Sequence, residues 1–314
     1  MLTGKELIPH LFKTEFSKIV SVLSKVVGFE HIEITEDIAG DTFLSAAEIW
    51  QLKGLCENPV TWLYAVAKNK ARDHLKRNAI FSAKVSAEIL KANIELQEIE
   101  IDLSDKNIID SQLQMMFAIC QPSISVEAQI VLSLRILCGF GIEEIADAFL
   151  SNKETINKRL FRAKEKLRKE KVKIEFPPST EINKRLKTLL TTIYLLFNEG
   201  YYSLSANIAL RKDLCLEAMR LKYLLIENKR TDKPFVNSLL SLMCFHPSRF
   251  DSRTDQNGDL ILYEEQDTGL WNEELILKGN FYLNQAAKGN QISNYHLEAA
   301  TANWHTKKED TAEK

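Results

Sequence analysis

Turn-forming residues are scarce in this chain: eleven Gly and seven Pro in 314 residues, about six per cent where roughly twelve is usual. Strand-rich folds with many tight turns need more of both, so helix is expected throughout. Long apolar runs are missing too. The N-terminal stretch MLTGKELIPHLFKTEF has no uninterrupted apolar segment of signal-peptide length, and no window reaches the roughly 18 apolar residues of a membrane span. The longest candidate, Ile130 to Cys138, is short and carries Arg135. Cysteine is scattered: five residues, an odd number, none in a CxxC pair. That argues against a disulfide framework and for a reduced compartment, so a cytoplasmic protein is expected.

Enzyme signatures are absent as well. The sequence has no GxxxxGK(S/T), HExxH or GxSxG. Its six His are scattered, and Cys244-Phe-His246 stands alone, better suited to a core than to a metal. No catalytic residue, metal or cofactor is expected.

What is present is helical periodicity. Leu11, Phe12, Phe16, Ile19, Val20, Leu23, Val26 and Val27 recur at three-to-four spacing, and Gly28 is placed to end that helix. Further helices are expected at 36–50, 60–77, 113–120, 126–138, 142–149, 153–171, 214–225, 234–245 and 273–287. Another, carrying Leu186 to Phe197, is expected to end at Asn198-Glu-Gly200. The net charge of −2 hides local extremes. Residues 85–112 carry seven acids against two lysines, an acidic linker between two basic modules. Phe176-Pro177-Pro178 closes the second module, and the polar last ten residues are expected to fray.

The strongest local pattern runs from Ile142 to Lys169. A helix-turn-helix needs a short first helix, a tight connection and an exposed second helix. Ile145, Ala146 and Phe149 can pack on Ile156 and Leu160, the small Ala146 allowing close approach. Ser151 or Asn152 can cap the second helix, leaving Lys153, Glu154, Thr155, Asn157 and Lys158 where base edges are met. Residues 151–173 hold ten Lys/Arg against three Glu, which suits phosphate contact; the alternative is an ordinary solvated helix. Leu150 occupies the turn where many such motifs carry Gly.

A second basic stretch, Trp62 to Arg77, sets five Lys/Arg beside Trp62 and Tyr64. Rings beside cations suit single-stranded nucleic acid, since bases stack while the backbone follows the charge; the alternative is that both rings are core.

The order of these parts resembles a two-domain sigma factor. Ile34-Thr-Glu-Asp-Ile-Ala-Gly-Asp-Thr-Phe-Leu-Ser-Ala-Ala-Glu-Ile-Trp50 resembles the sigma region 2 helices that bind the RNA polymerase clamp. The run Asn58 to Arg77 is similar to the helix that melts and reads the minus-ten element. Ala128 to Arg135 and Glu144 to Arg168 resemble sigma region 4, which reads the minus-thirty-five element. Tyr194-Leu-Leu-Phe-Asn-Glu-Gly-Tyr201, Asp213 to Leu221 and Asn257-Gly-Asp-Leu-Ile-Leu-Tyr-Glu-Glu-Gln-Asp267 resemble one subgroup of extracytoplasmic-function sigma factors, with a tetratricopeptide-like C-terminal domain.

The resemblance spans about residues 8 to 300, with no sign of a sigma region 3. It implies an all-α protein with region 2 at 1–80, a linker at 81–111, region 4 at 112–176 and a helical regulatory domain at 177–314 holding one possible small hairpin. By the same resemblance Asp37, Asp41, Phe43 and Trp50 meet the polymerase. Trp62, Lys68, Asn69, Lys70, Asp73 and Arg77 meet minus-ten DNA, and Lys153, Glu154, Thr155, Asn157, Lys158, Arg159 and Arg162 meet minus-thirty-five DNA. The implied partners are core RNA polymerase (clamp and flap), promoter DNA and a regulatory protein or intramolecular contact through the C-terminal domain, with no membrane. Gly40 departs from the Gln common in the family, at a cost of about 1 kcal/mol relative to Ala in a helix interior. The subgroup continues with further helices where this chain stops at Lys314, so a shortened regulatory domain is expected.

Residues 253–264 imitate a calcium loop at four positions, but Arg253 stands at the first, where a carboxylate is needed; a hairpin turning at Asn257-Gly258 is expected instead. Two other functions fit parts of the sequence: a helix-turn-helix regulator acting without polymerase, and a helical protein-interaction scaffold.

Overall fold

Leu11, Phe16, Ile19, Val20 and Leu23 share one side of helix α1 (Gly4–Val27), and all five are buried. The computed structural model describes residues 4–85, 100–201, 211–253, 255 and 260–307. Gly28 stops α1 at φ 96°, a conformation that a side chain would strain. A 3-10 turn (Phe29–His31) leads into α2 (Ile32–Lys53), and α3 (Pro59–Val85) follows. Both helices pack on α1. They are longer than expected, because burial of Ile32 and Thr35 begins α2 a turn earlier.

Helix α4 (Asp105–Ile119) starts inside the stretch expected to be linker. Ile101 and Ile108 are buried there, and α4 packs on α1. The rest of the linker, 86–99, lies outside the described residues. Helix α5 (Val126–Leu132) widens at Ser133–Leu137 into a π turn, with Cys138 N donating to Ser133 O at 3.1 Å. Then come α6 (Ile142–Ala148) and α7 (Lys153–Lys169). Met1–Pro177 forms one compact unit.

The second unit is Pro178–Lys314. It holds α8 (Ile182–Tyr201), α9 (Lys212–Glu227), α10 (Pro234–Phe245), α11 (Glu273–Ala286) and α12 (Asn294–Trp304), with short 3-10 turns between α10 and α11. Every residue from Val236 to Phe245 is buried, as befits a helix that is apolar all round; α9, α11 and α12 pack around it. Helix α8 is described as far as Tyr201, one residue past Gly200, where a Cβ would come within 2.8 Å of Arg211 O and Cys215 Sγ, so the glycine serves close approach to α9. Gly279 of α11 likewise faces the Phe245 ring, 2.5 Å from where a Cβ would sit.

All regular structure among the described residues is helical, apart from a bridge residue at Leu260. The Asn257-Gly258 turn lies outside the described residues, although Ile261 N donates to Arg253 O at 2.8 Å across it. All five cysteines are free thiols, four of them buried. No described helix is long and apolar enough to cross a membrane, and no group of acids, His and Cys suited to a metal ion occurs among the described residues.

Candidate nucleic-acid interface

Two short helices and a tight turn build the clearest site. Gly141 caps α6 by donating its N–H to Glu144 Oε2 at 2.7 Å. At the other end Ser151 N donates to Ala146 O at 2.8 Å, closing the turn around Leu150. Leu150 sits at φ 45°, in the left-handed region, with 70% of its surface exposed. The structure therefore keeps the glycine-type turn and pays for it with a leucine, at about 1–2 kcal/mol. Asn152 starts α7, its Oδ1 accepting from Thr155 N at 2.8 Å. Ile145, Ala146, Ile156 and Leu160 are buried between the helices.

That packing turns the first two turns of α7 outward. Lys153, Glu154, Thr155, Asn157, Lys158 and Arg162 are exposed and Arg159 is half-buried. Lys153 pairs with Glu143, and Lys158 pairs with Glu154 at 2.6 Å. Exposed pairs of this kind are worth about 0–1 kcal/mol, so a phosphate can displace either carboxylate cheaply. Lys158, Arg159, Arg162 and Lys166 line a groove of about 400 Å³ with Ser123, Ser125 and Thr155. Among the described residues Arg159 and Arg162 enter no ion pair. Four cations around polar hydroxyls suit a phosphate backbone.

Helix α3 carries the second set. Trp62 is half-buried, its ring centroid 5.3 Å from that of Trp50. Lys68 and Lys70 are half-buried, while Asn69, Asp73 and Arg77 are exposed. Tyr64 points the other way: its hydroxyl donates to Glu15 Oε2 at 2.5 Å. Burial, then the Glu15 carboxylate, pushes the phenol well above its usual pKa. Near Lys68, Asp102 is held below the usual carboxylate range, first by the Ser104 N–H and then by its hydroxyl.

The four residues of α2 divide. Asp37 and Asp41 are exposed. Phe43 and Trp50 are core residues, Phe43 edge-on to Phe12 at 5.0 Å and Trp50 against Trp62. These rings shape the helix from beneath, and the surface it presents is acidic with Leu44 exposed.

One cluster has no counterpart in the sequence reading. Glu36 of α2 is buried, and its carboxylate takes Arg135 Nε at 2.9 Å on one oxygen and Lys164 Nζ at 2.5 Å on the other. Arg168 bonds Glu33 at 2.7 Å and Glu30 O at 3.0 Å. This clasp ties α2 to the π turn and to the second half of α7.

A family of unknown function (DUF6596) has a model that matches residues 185–287. An uncharacterized protein, R00370 of Rhizobium meliloti (strain 1021), is 30% identical over 285 residues, covering 90% of this chain. The chain spans 66% of that relative's length, just under two thirds. No solved structure is a significant match.

Proposed function

We propose that the chain is an alternative sigma factor, directing core RNA polymerase to promoters and opening them. The observation that supports this most is the α6–turn–α7 unit: a capped, tightly turned helix pair with seven polar or charged residues of α7 facing outward or half-outward. In this reading α7 enters the major groove of the minus-thirty-five element. Asn157 and its neighbours meet base edges while Arg159, Arg162 and Lys166 hold phosphates. On α3, Lys68, Lys70 and Arg77 follow the backbone of the opened minus-ten strand, and the exposed part of Trp62 offers a ring for stacking. Stacking of that kind is worth about 1–3 kcal/mol per base, which offsets the cost of unpairing. Asp37 and Asp41 meet a basic surface of the polymerase clamp. The chain itself makes and breaks no bond; the polymerase does the chemistry. The helices of 177–314 regulate.

The test uses reconstituted holoenzyme on a promoter selected by it. Lys70→Ala with Arg77→Ala abolishes permanganate-reactive, open minus-ten thymines while leaving core binding intact. Arg162→Ala lowers the salt slope of promoter binding by about one. Tight, site-specific duplex binding by the chain without polymerase would instead make it a plain helix-turn-helix regulator.

A further inference from the structure

A cavity of about 660 Å³ opens within the second unit, between the 3-10 turn after α10 (Pro247–Ser252) and α12. Two arginines line it. Arg253 lies over the Tyr201 ring at 4.1 Å, and Arg249 over the Tyr263 ring at 5.2 Å. Neither enters an ion pair among the described residues. Arg253 Nη1 is buried and has no hydrogen-bond partner there. A donor in that state costs about 1–3 kcal/mol, more when charged, and buried donors almost always find a partner. Two nearby carboxylates are engaged elsewhere: Glu298, which also lines the cavity, accepts from Tyr194 at 2.8 Å, and Asp251 binds Lys212 at 2.7 Å.

The buried imidazole beside the two arginines adds no charge. His246 lies 4.4 Å from Tyr201, ring to ring. Burial first, then Arg249, Arg253 and His305, push its pKa down to about 3. At neutral pH the imidazole is therefore uncharged, and the positive potential of the cavity comes from the two guanidiniums. The rim is apolar and open: Leu262 is 70% exposed and Leu297 61%. Guanidiniums held over rings keep their forked N–H donors for a planar or tetrahedral oxyanion. A cavity of this volume, largely apolar with a few convergent polar groups, suits a small molecule.

We infer that this cavity binds a small organic oxyanion, a carboxylate or a phosphate monoester, with its charged head on Arg249 and Arg253 and its apolar body against Leu262 and Leu297. The aromatic lattice holds both arginines in place before the ligand arrives, so little side-chain entropy is lost on binding.

Calorimetric titration of the full chain tests this with phenyl phosphate, benzoate and the uncharged analogue benzyl alcohol. The expected result is saturable binding of at least one anion, with the neutral analogue weaker by about tenfold or more, the loss of one charge-assisted contact. The tighter of the two anions identifies the head group. Arg249→Gln and Arg253→Gln each weaken that anion by about tenfold, and Arg253→Lys falls between wild type and Arg253→Gln. Folding of each variant is checked by its melting curve; should Arg253→Gln not fold, Arg249→Gln and the salt dependence of the wild type decide. No saturation by either anion up to about 10 mM, equal binding of the neutral analogue, or anion affinity unchanged in the folded Gln variants would each overturn the inference.

Discussion

Removing the charge of Glu36 should loosen the N-terminal unit more than any surface change. Its carboxylate is 7% exposed and faces Lys164 at 11% and Arg135 at 25%. Glu36→Gln keeps the shape and one acceptor but leaves Arg135 facing no anion and Lys164 only the more exposed Glu33 at 3.9 Å. Breaking a buried pair from one side costs about 3–5 kcal/mol. Arg135 also bonds Phe140 O and can regain water, which places the expected loss near the lower figure, about 3 kcal/mol. For a unit the size of Met1–Pro177 that is a fall in Tm of about 6–12 °C. Trp50 and Trp62 report on this unit by fluorescence, and hydrogen exchange in the α2 and α7 peptides shows where the loosening occurs. The apolar double variant, Glu36→Leu with Lys164→Met, should recover the part of the loss that Lys164 carries, since a well-packed apolar pair often matches a buried ion pair, while Arg135 still lacks its anion. A loss below about 1 kcal/mol, the value of an exposed pair, or a double variant as unstable as the single one, would refute the reasoning.

Three further outcomes follow from single positions. Gly40 lies within α2 with no atom within 4 Å of a Cβ built there, so Gly40→Ala should stabilise by about 1 kcal/mol, seen as a higher urea midpoint. Leu150→Gly relieves the left-handed turn at an exposed site; after the larger entropy of the unfolded glycine is subtracted, about 0.5–1 kcal/mol of stabilisation remains, and a lower melting temperature would contradict it. Lys222 is fully buried with no hydrogen-bond partner on Nζ among the described residues, and burial holds its pKa well below the usual lysine value. Between the lowered folded value and the unfolded value of ~10.4, the unfolded chain binds a proton that the folded chain has lost, so the burial penalty fades as pH rises through that window. Lys222→Met should raise stability at pH 7 and flatten its climb toward alkaline pH; an unchanged slope in the melting temperatures would count against this.

Where neighbours in sequence decide the structure, the sequence was legible. The apolar stripes of α1 and α7, the Asn152 cap and the Gly28 stop are set by spacing within a few residues. The Glu36 clasp was not, because its partners lie 99 and 128 residues away and a lone Glu beside polar neighbours reads as solvated. The close approach of Gly200 to α9 was hidden for a related reason: a glycine near a helix end and one that lets a helix approach its neighbour look alike until the neighbour is known. Phe43 and Trp50, named by resemblance alone, are buried beneath the α2 surface, and resemblance carries no information on how deep a ring lies. For α3, periodicity separated the buried Leu63 and Ala67 from the cations, but it did not show that Tyr64 turns inward to Glu15 while Trp62 stays half exposed.

The proposed sigma role stands or falls on one measurement, the affinity of the purified chain for bacterial core RNA polymerase, compared with that of Asp41→Arg. Asp41 is exposed on α2, so the substitution leaves the fold intact and reverses one charge on the face assigned to the clamp. The account predicts saturable binding by the wild type and a loss of about tenfold or more in the variant, as expected for a like charge set against a basic surface. Absence of binding by wild-type protein shown to be folded would contradict it.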